Sequence, residues 1–172
     1  MYKNLLLLTT IFIFLANLNA QVNPSQLIDE AISEAKKQKK YVFVNYKVAS
    51  CDLSKKLANQ MSNPLYDSSY IVVDIVLPKE KAATYFTNTN KETSQEGIVN
   101  GFPFWYILDD DGNFIEMSYD ANGNNIGYPN TKKKIKQFIK IVRKTSKLSE
   151  NKLDIIANSF QLRNNEQLLS GN

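Results

Sequence analysis

The run Tyr70-Ile71-Val72-Val73-Asp74-Ile75-Val76-Leu77 constrains this chain more than any other segment. It is rich in β-branched residues and carries a single charge, so it predicts a strand. Its near-continuous apolar character is that of a strand buried on both faces, as in a parallel sheet. A second strand is predicted at Tyr41-Val42-Phe43-Val44-Asn45-Tyr46, and the intervening run from Asp52 to Met61 is helical in pattern until Asn63-Pro64 ends it. Strand, helix and strand then form a βαβ unit with a right-handed crossover. Helices to cover such a sheet are available. Leu27, Ile28, Ala31, Ile32 and Ala35 recur at helical spacing, and Ile135, Phe138, Ile139 and Val142 form one stripe between Lys132 and Val142. Phe104 to Leu108 reads as a strand that turns at Asp109-Asp110-Asp111-Gly112 and returns as Phe114 to Tyr119. A short helix is expected from Lys79 to Phe86, a polar loop from Thr87 to Gly97, and a short helix from Leu153 to Phe160 in an otherwise polar tail.

The first 20 residues stand apart. Lys3 precedes an apolar run from Leu5 to Leu15, and the segment ends in Leu18-Asn19-Ala20. This is the layout of a secretory signal peptide cleaved after Ala20. An anchor would need about 20 uninterrupted apolar residues, and Thr9, Thr10 and Asn17 break this run. The expected division is therefore a signal peptide at 1–20, one domain at 21–146 and a helical or mobile tail at 147–172. The setting is exported, periplasmic or secreted in a bacterium, with no stable membrane insertion after cleavage. The formal net charge is only +4, and the lysines read as solvated helix faces rather than a nucleic-acid footprint, which needs clustered cations with stacking or base-reading groups. Histidine is absent, which removes His-based triads and most zinc sites. Asp109 to Asn113 lacks the ligand spacing and terminal glutamate of an EF-hand, so a turn is expected there. No cofactor or metal is expected.

Cys51 is the only cysteine, and it falls where the first strand gives way to the helix beginning at Asp52. In an exported protein an odd thiol reads as a reactive site, as one half of an intermolecular disulfide, or as a buried inert residue. A thiol at a helix N-terminus faces unpaired backbone N–H groups and the positive end of the helix dipole, both of which favour the thiolate.

Two landmarks carry a family resemblance. Val42-Phe43-Val44-Asn45-Tyr46 followed by Ser50-Cys51-Asp52-Leu53-Ser54 resembles the strand and redox motif of the thioredoxin-like superfamily, and Val99-Asn100-Gly101-Phe102-Pro103-Phe104 resembles its V-x-G-x-P segment with a cis-proline. The resemblance covers Lys40 to Val142 and implies an α/β, thioredoxin-like fold: a central mixed sheet of four to five strands flanked by helices. It implies Cys51 as nucleophile, with Ser54 in place of the resolving cysteine and able to hydrogen-bond the thiolate. Pro103 is then the substrate-positioning element, with Ser50, Gly101 and Phe102 lining the substrate groove. The family's buried acid falls at Asn45, which cannot ionise, and its usual tryptophan before the cysteine is Ser50. The resemblance thus implies monothiol exchange or an isomerase-like, mixed-disulfide role toward a protein or peptide thiol or disulfide, with a Cys51-linked dimer open to it. A redox-inactive binding or scaffold module using the proline groove is the alternative.

Overall fold

The computed structural model describes residues 23–82 and 101–170, with side chains as far as residue 162. The leader Met1 to Ala20, the loop Thr87 to Gly97, the Val99-Asn100 pair and the part of the Lys79–Phe86 helix beyond residue 82 lie outside the described residues.

Helix α1, Pro24–Gln38, starts where its sequence says it should. Asn23 caps it by accepting from the Ser25 N–H at 3.1 Å, and Pro24 supplies a pre-set first turn. Strand β1, Tyr41–Val48, leads into helix α2, Asp52–Met61, and strand β2, Tyr70–Leu77, runs parallel to β1 with Asn45 opposite Asp74. Strands β3, Phe104–Leu108, and β4, Phe114–Met117, form an antiparallel hairpin, and β3 pairs antiparallel with β1. The sheet order among the described residues is β2-β1-β3-β4. Helices α3, Lys132–Thr145, and α4, Glu150–Ser170, complete the domain. This mixed sheet flanked by helices is a thioredoxin-like fold.

β1 sits in the middle of the sheet, and its alternation divides the core. Val42, Val44, Tyr46 and Val48 face Ala31 and Ala35 of α1 on one side, while Phe43 faces Leu57 of α2 and Phe138 of α3 on the other. β2 departs from its expected two-sided burial. Val73, Ile75 and Leu77 are buried against the α1 side, but Val72 is 37% and Val76 54% exposed, because β2 lies at the edge of the described sheet and its second face is covered only near Tyr70. There the Tyr70 hydroxyl donates to Thr145 Oγ1 at 2.6 Å, since Thr145 spends its own proton on the Ile141 carbonyl; burial pushes the phenol well up from its ordinary value.

α4 is longer than the segment read from sequence, and it is packed rather than appended. Leu153, Ile156 and Phe160, spaced to share one face, have no exposed surface. Phe160 meets Phe138 edge-on at 5.1 Å and Tyr128 at 5.4 Å. A Phe160→Ala variant is expected to lose about 3–5 kcal/mol of stability, the usual cost of deleting a fully buried aromatic side chain, read as a lower urea midpoint with an unchanged slope.

Two tight turns are built from one local pattern, Asp-x-x-Gly-Asn, at Asp109 to Asn113 and at Asp120 to Asn124. In each, the aspartate accepts from the backbone N–H groups two and four residues on and from the asparagine amide. The glycines, Gly112 at φ 86° and Gly123 at φ 75°, take a left-handed conformation that other residues resist. These hydrogen bonds hold both carboxyls below the ordinary carboxylate value, led by the Asn113 amide for Asp109 and the Asn124 N–H for Asp120. A lowered folded-state value stabilises the fold above the unfolded aspartate's pKa of about 3.9 and is lost as pH falls through the folded value. Asp109→Asn/Asp120→Asn is therefore expected to flatten the loss of stability between about pH 4 and pH 2, followed by thermal unfolding across that range.

Candidate functional site

β1 delivers the chain to the site. After Val48 the chain turns through exposed Ala49 and Ser50, with the Cys51 N–H closing the turn on the Val48 carbonyl at 2.9 Å. Cys51 takes the N-cap position of α2 in an extended conformation, φ −93° and ψ 114°, and its side chain makes no capping bond. The cap position is usually held by an oxygen that satisfies the first-turn N–H groups; a sulfur that leaves them unused sits beside free donors. Asp52 follows, tied to Lys55 at 3.2 Å on the surface.

The Cys51 sulfur is half-buried and free, and its thiol points at the Phe102 carbonyl oxygen, 3.7 Å away. Phe102 precedes Pro103, and the peptide bond between them is cis. Gly101 is exposed at φ 93°, Phe102 is half-buried beside Cys51, and Pro103 is buried. Cys51, Phe102 and Pro103 are thus brought together from segments about 50 residues apart in sequence.

Ser54 is placed differently from its expected role. It is fully buried, and its hydroxyl accepts from the Val48 N–H at 3.4 Å, so it steadies the β1–α2 turn from within and is not bonded to the Cys51 sulfur. Asn45 is also fully buried; its amide donates to Asp74 Oδ1 at 2.8 Å, while Lys47 holds Asp74 Oδ2 at 2.6 Å. The only carboxylate of β2 is therefore committed to a lysine and an amide on β1. Asn45 Oδ1 has no partner among the described residues.

Asn125 was not singled out by sequence reasoning, and it is the residue that holds the proline loop. Its side-chain amide donates to the Gly101 carbonyl at 2.7 Å and the Pro103 carbonyl at 3.1 Å, while its Oδ1 accepts from Gly127 N–H at 2.9 Å. Lys134 Nζ in turn donates to the Asn125 carbonyl at 3.2 Å. The only sequence signal was the asparagine-rich stretch from Tyr119 to Tyr128, which reads as ordinary loop chemistry.

No family model matches the chain, and no curated protein matches it either. Among solved structures it is similar to a disulphide isomerase from Xylella fastidiosa Temecula1, at 14% identity and TM-score 0.46 over 59% of this chain and 77% of the other. It is also similar to a wild-type thioredoxin h from poplar, at 16% identity and TM-score 0.42 over 70% of this chain and 90% of the other. A thiol:disulfide interchange protein from Bacteroides sp. aligns at 16% identity and TM-score 0.31 over 51% of this chain and 70% of the other.

Asn125→Ala leaves the buried Pro103 carbonyl without its donor. It is expected to cost about 1–3 kcal/mol in a urea titration and to quicken backbone amide exchange at the residues flanking Pro103. Unchanged exchange there would mean that the loop is held by other contacts.

Proposed function

We propose that this protein is a monothiol thioredoxin-like exchanger whose nucleophile is Cys51. The observation that carries the reading is the position of the sulfur: at the start of α2, partly open to solvent, and against the carbonyl that precedes the cis-proline. A thiol buried in the core would support only an inert residue. The substrate class is a protein or peptide disulfide, which lies along the loop at Gly101 and Phe102 with Ser50 at its rim.

The step balances without a metal or cofactor. The Cys51 thiolate attacks one sulfur of the partner's disulfide; a new S–S bond forms to Cys51 as the partner's own S–S bond breaks, and the departing sulfur leaves as a thiolate that takes a proton from water. Cys51 is oxidised to a mixed disulfide and the departing sulfur is reduced. This chain contains no second cysteine to displace the partner, so release needs an external thiol of low molecular weight or on another protein. The leader expected at Met1 to Ala20 supports an exported place of work, periplasmic or secreted.

Glutathione disulfide is the direct probe. The folded protein is expected to take one glutathione, seen by mass, at a rate no slower than the chain unfolded in denaturant; dithiothreitol should remove it and Cys51→Ser should abolish it. Ser54→Ala should change that rate by only a few-fold, because the Ser54 hydroxyl serves the Val48 N–H. It should cost about 1 kcal/mol of stability instead. A folded protein that takes no glutathione while the unfolded chain does would overturn the exchanger reading and leave a binding module that uses the Phe102–Pro103 groove.

A further inference from the structure

The positive charge of this protein belongs to one helix. α3 reads Lys-Lys-Lys-Ile-Lys-Gln-Phe-Ile-Lys-Ile-Val-Arg-Lys-Thr and holds seven of the chain's 21 lysines and arginines and none of its 17 carboxylates. Without those seven the balance is 14 positive against 17 negative.

The cations of α3 fall into two groups. At its flanks they are engaged: Lys144 with Glu116 at 2.6 Å, Arg143 with Glu150 through two hydrogen bonds, Lys133 beside Asp120 at 4.0 Å, and Lys134 with the Asn125 carbonyl. Lys132, Lys136 and Lys140 are exposed and have no carboxylate partner among the described residues. They stand at i, i+4 and i+8, so they line one face over about 12 Å of helix. Like charges at this spacing repel, and lysines in a first turn oppose the helix dipole; α3 carries no acidic residue there to offset them. The helix holds this row because its other face is locked into the core by Ile135, Phe138, Ile139 and Val142.

We propose that the Lys132–Lys136–Lys140 face of α3 is a docking surface for an anionic lipid bilayer. Three observations select that partner. The free cations are all lysines, point charges suited to a diffuse field of negative headgroups, whereas α3's one arginine, whose fork suits a specific carboxylate or phosphate, is already spent on Glu150. Lysine is depleted at protein–protein interfaces, which disfavours a protein partner. No aromatic side chain is exposed on α3 to stack on bases, which disfavours nucleic acid. Charge attraction of this kind holds a protein at the surface without inserting it.

The test is partition of the full-length chain between buffer and vesicles of pure phosphatidylcholine or of phosphatidylcholine with a third phosphatidylglycerol. The readout is the anionic-to-neutral ratio, which removes any affinity of the apolar leader for lipid as such. The wild type is expected to prefer the anionic vesicles and to lose that preference at high salt. Lys132→Gln/Lys136→Gln/Lys140→Gln should lower the ratio on the order of a hundredfold, at roughly fivefold per lysine removed. Lys36→Gln/Lys37→Gln/Lys40→Gln, an equal charge change on and just after α1, packed against the opposite face of the sheet, should leave most of the preference in place. Circular dichroism and urea midpoints confirm that both variants are folded. No anionic preference in the wild type, or an equal fall in the two variants, overturns the proposal. Salt-sensitive retention on polyglutamate with no lipid preference also overturns it, in favour of an acidic protein partner.

Discussion

Trp105 has a single polar atom and no exposed surface, and what that atom bonds to organises the molecule. Its indole stacks on Phe43 at 5.2 Å and meets Phe138 edge-on at 5.5 Å, so it joins β1, β3 and α3 in one contact. The N–H, which would be costly to bury unpaired, donates to the Gly127 carbonyl at 2.9 Å. That bond fixes the loop carrying Asn125. Asn125 fixes the carbonyls on either side of Phe102, and the Phe102 carbonyl lies against the Cys51 sulfur. The site is held by the core through this short series of contacts, which starts from the buried indole N–H of Trp105.

The same rule accounts for the amide at position 45. Asp74 lies opposite Asn45 in the parallel register, with 2.8 Å between their side chains. Two carboxylates at that distance cannot both ionise without cost, whereas an amide donates to the neighbour and Lys47 balances the remaining charge. With Asp74 on β2, position 45 suits a donor better than a second acid. Ser54 follows suit: buried, bonded to the chain that precedes it, and stationed to support the turn. Asn45 and Ser54, which look independent in the sequence, are each absorbed by local hydrogen bonding.

How much of this was legible in the sequence depended on how local the determining physics was. α1, α2, both strands of the βαβ unit and the Asp-Asp-Gly turn follow from periodicity, caps and turn residues, and all are where those signals put them. The two-sided burial read into β2 failed because edge or centre is a property of the sheet; Val72 and Val76 look the same in sequence as Val73 and Ile75. α4 was underestimated because Leu153, Ile156 and Phe160 are set among polar residues, and the buried cluster they join, with Phe138 and Tyr128 in it, is assembled only by the fold. Cys51 and Pro103 were legible as types that carry chemistry. Asn125 was not, since its partners are backbone carbonyls 22 and 24 residues away and carry no mark in the sequence.

α3 shows how far one helix can serve two demands without compromise. Its inner face answers to the core, where Phe138 touches both Trp105 and Phe160; its outer face carries a row of repelling lysines that packing alone would never select. A repulsion that costs a few tenths of a kcal/mol per pair is small beside the burial of Phe138, so the fold tolerates the row with ease. Lys134 ties α3 to the proline loop, because from the first turn of the helix it reaches the carbonyl of Asn125, the residue that pins that loop.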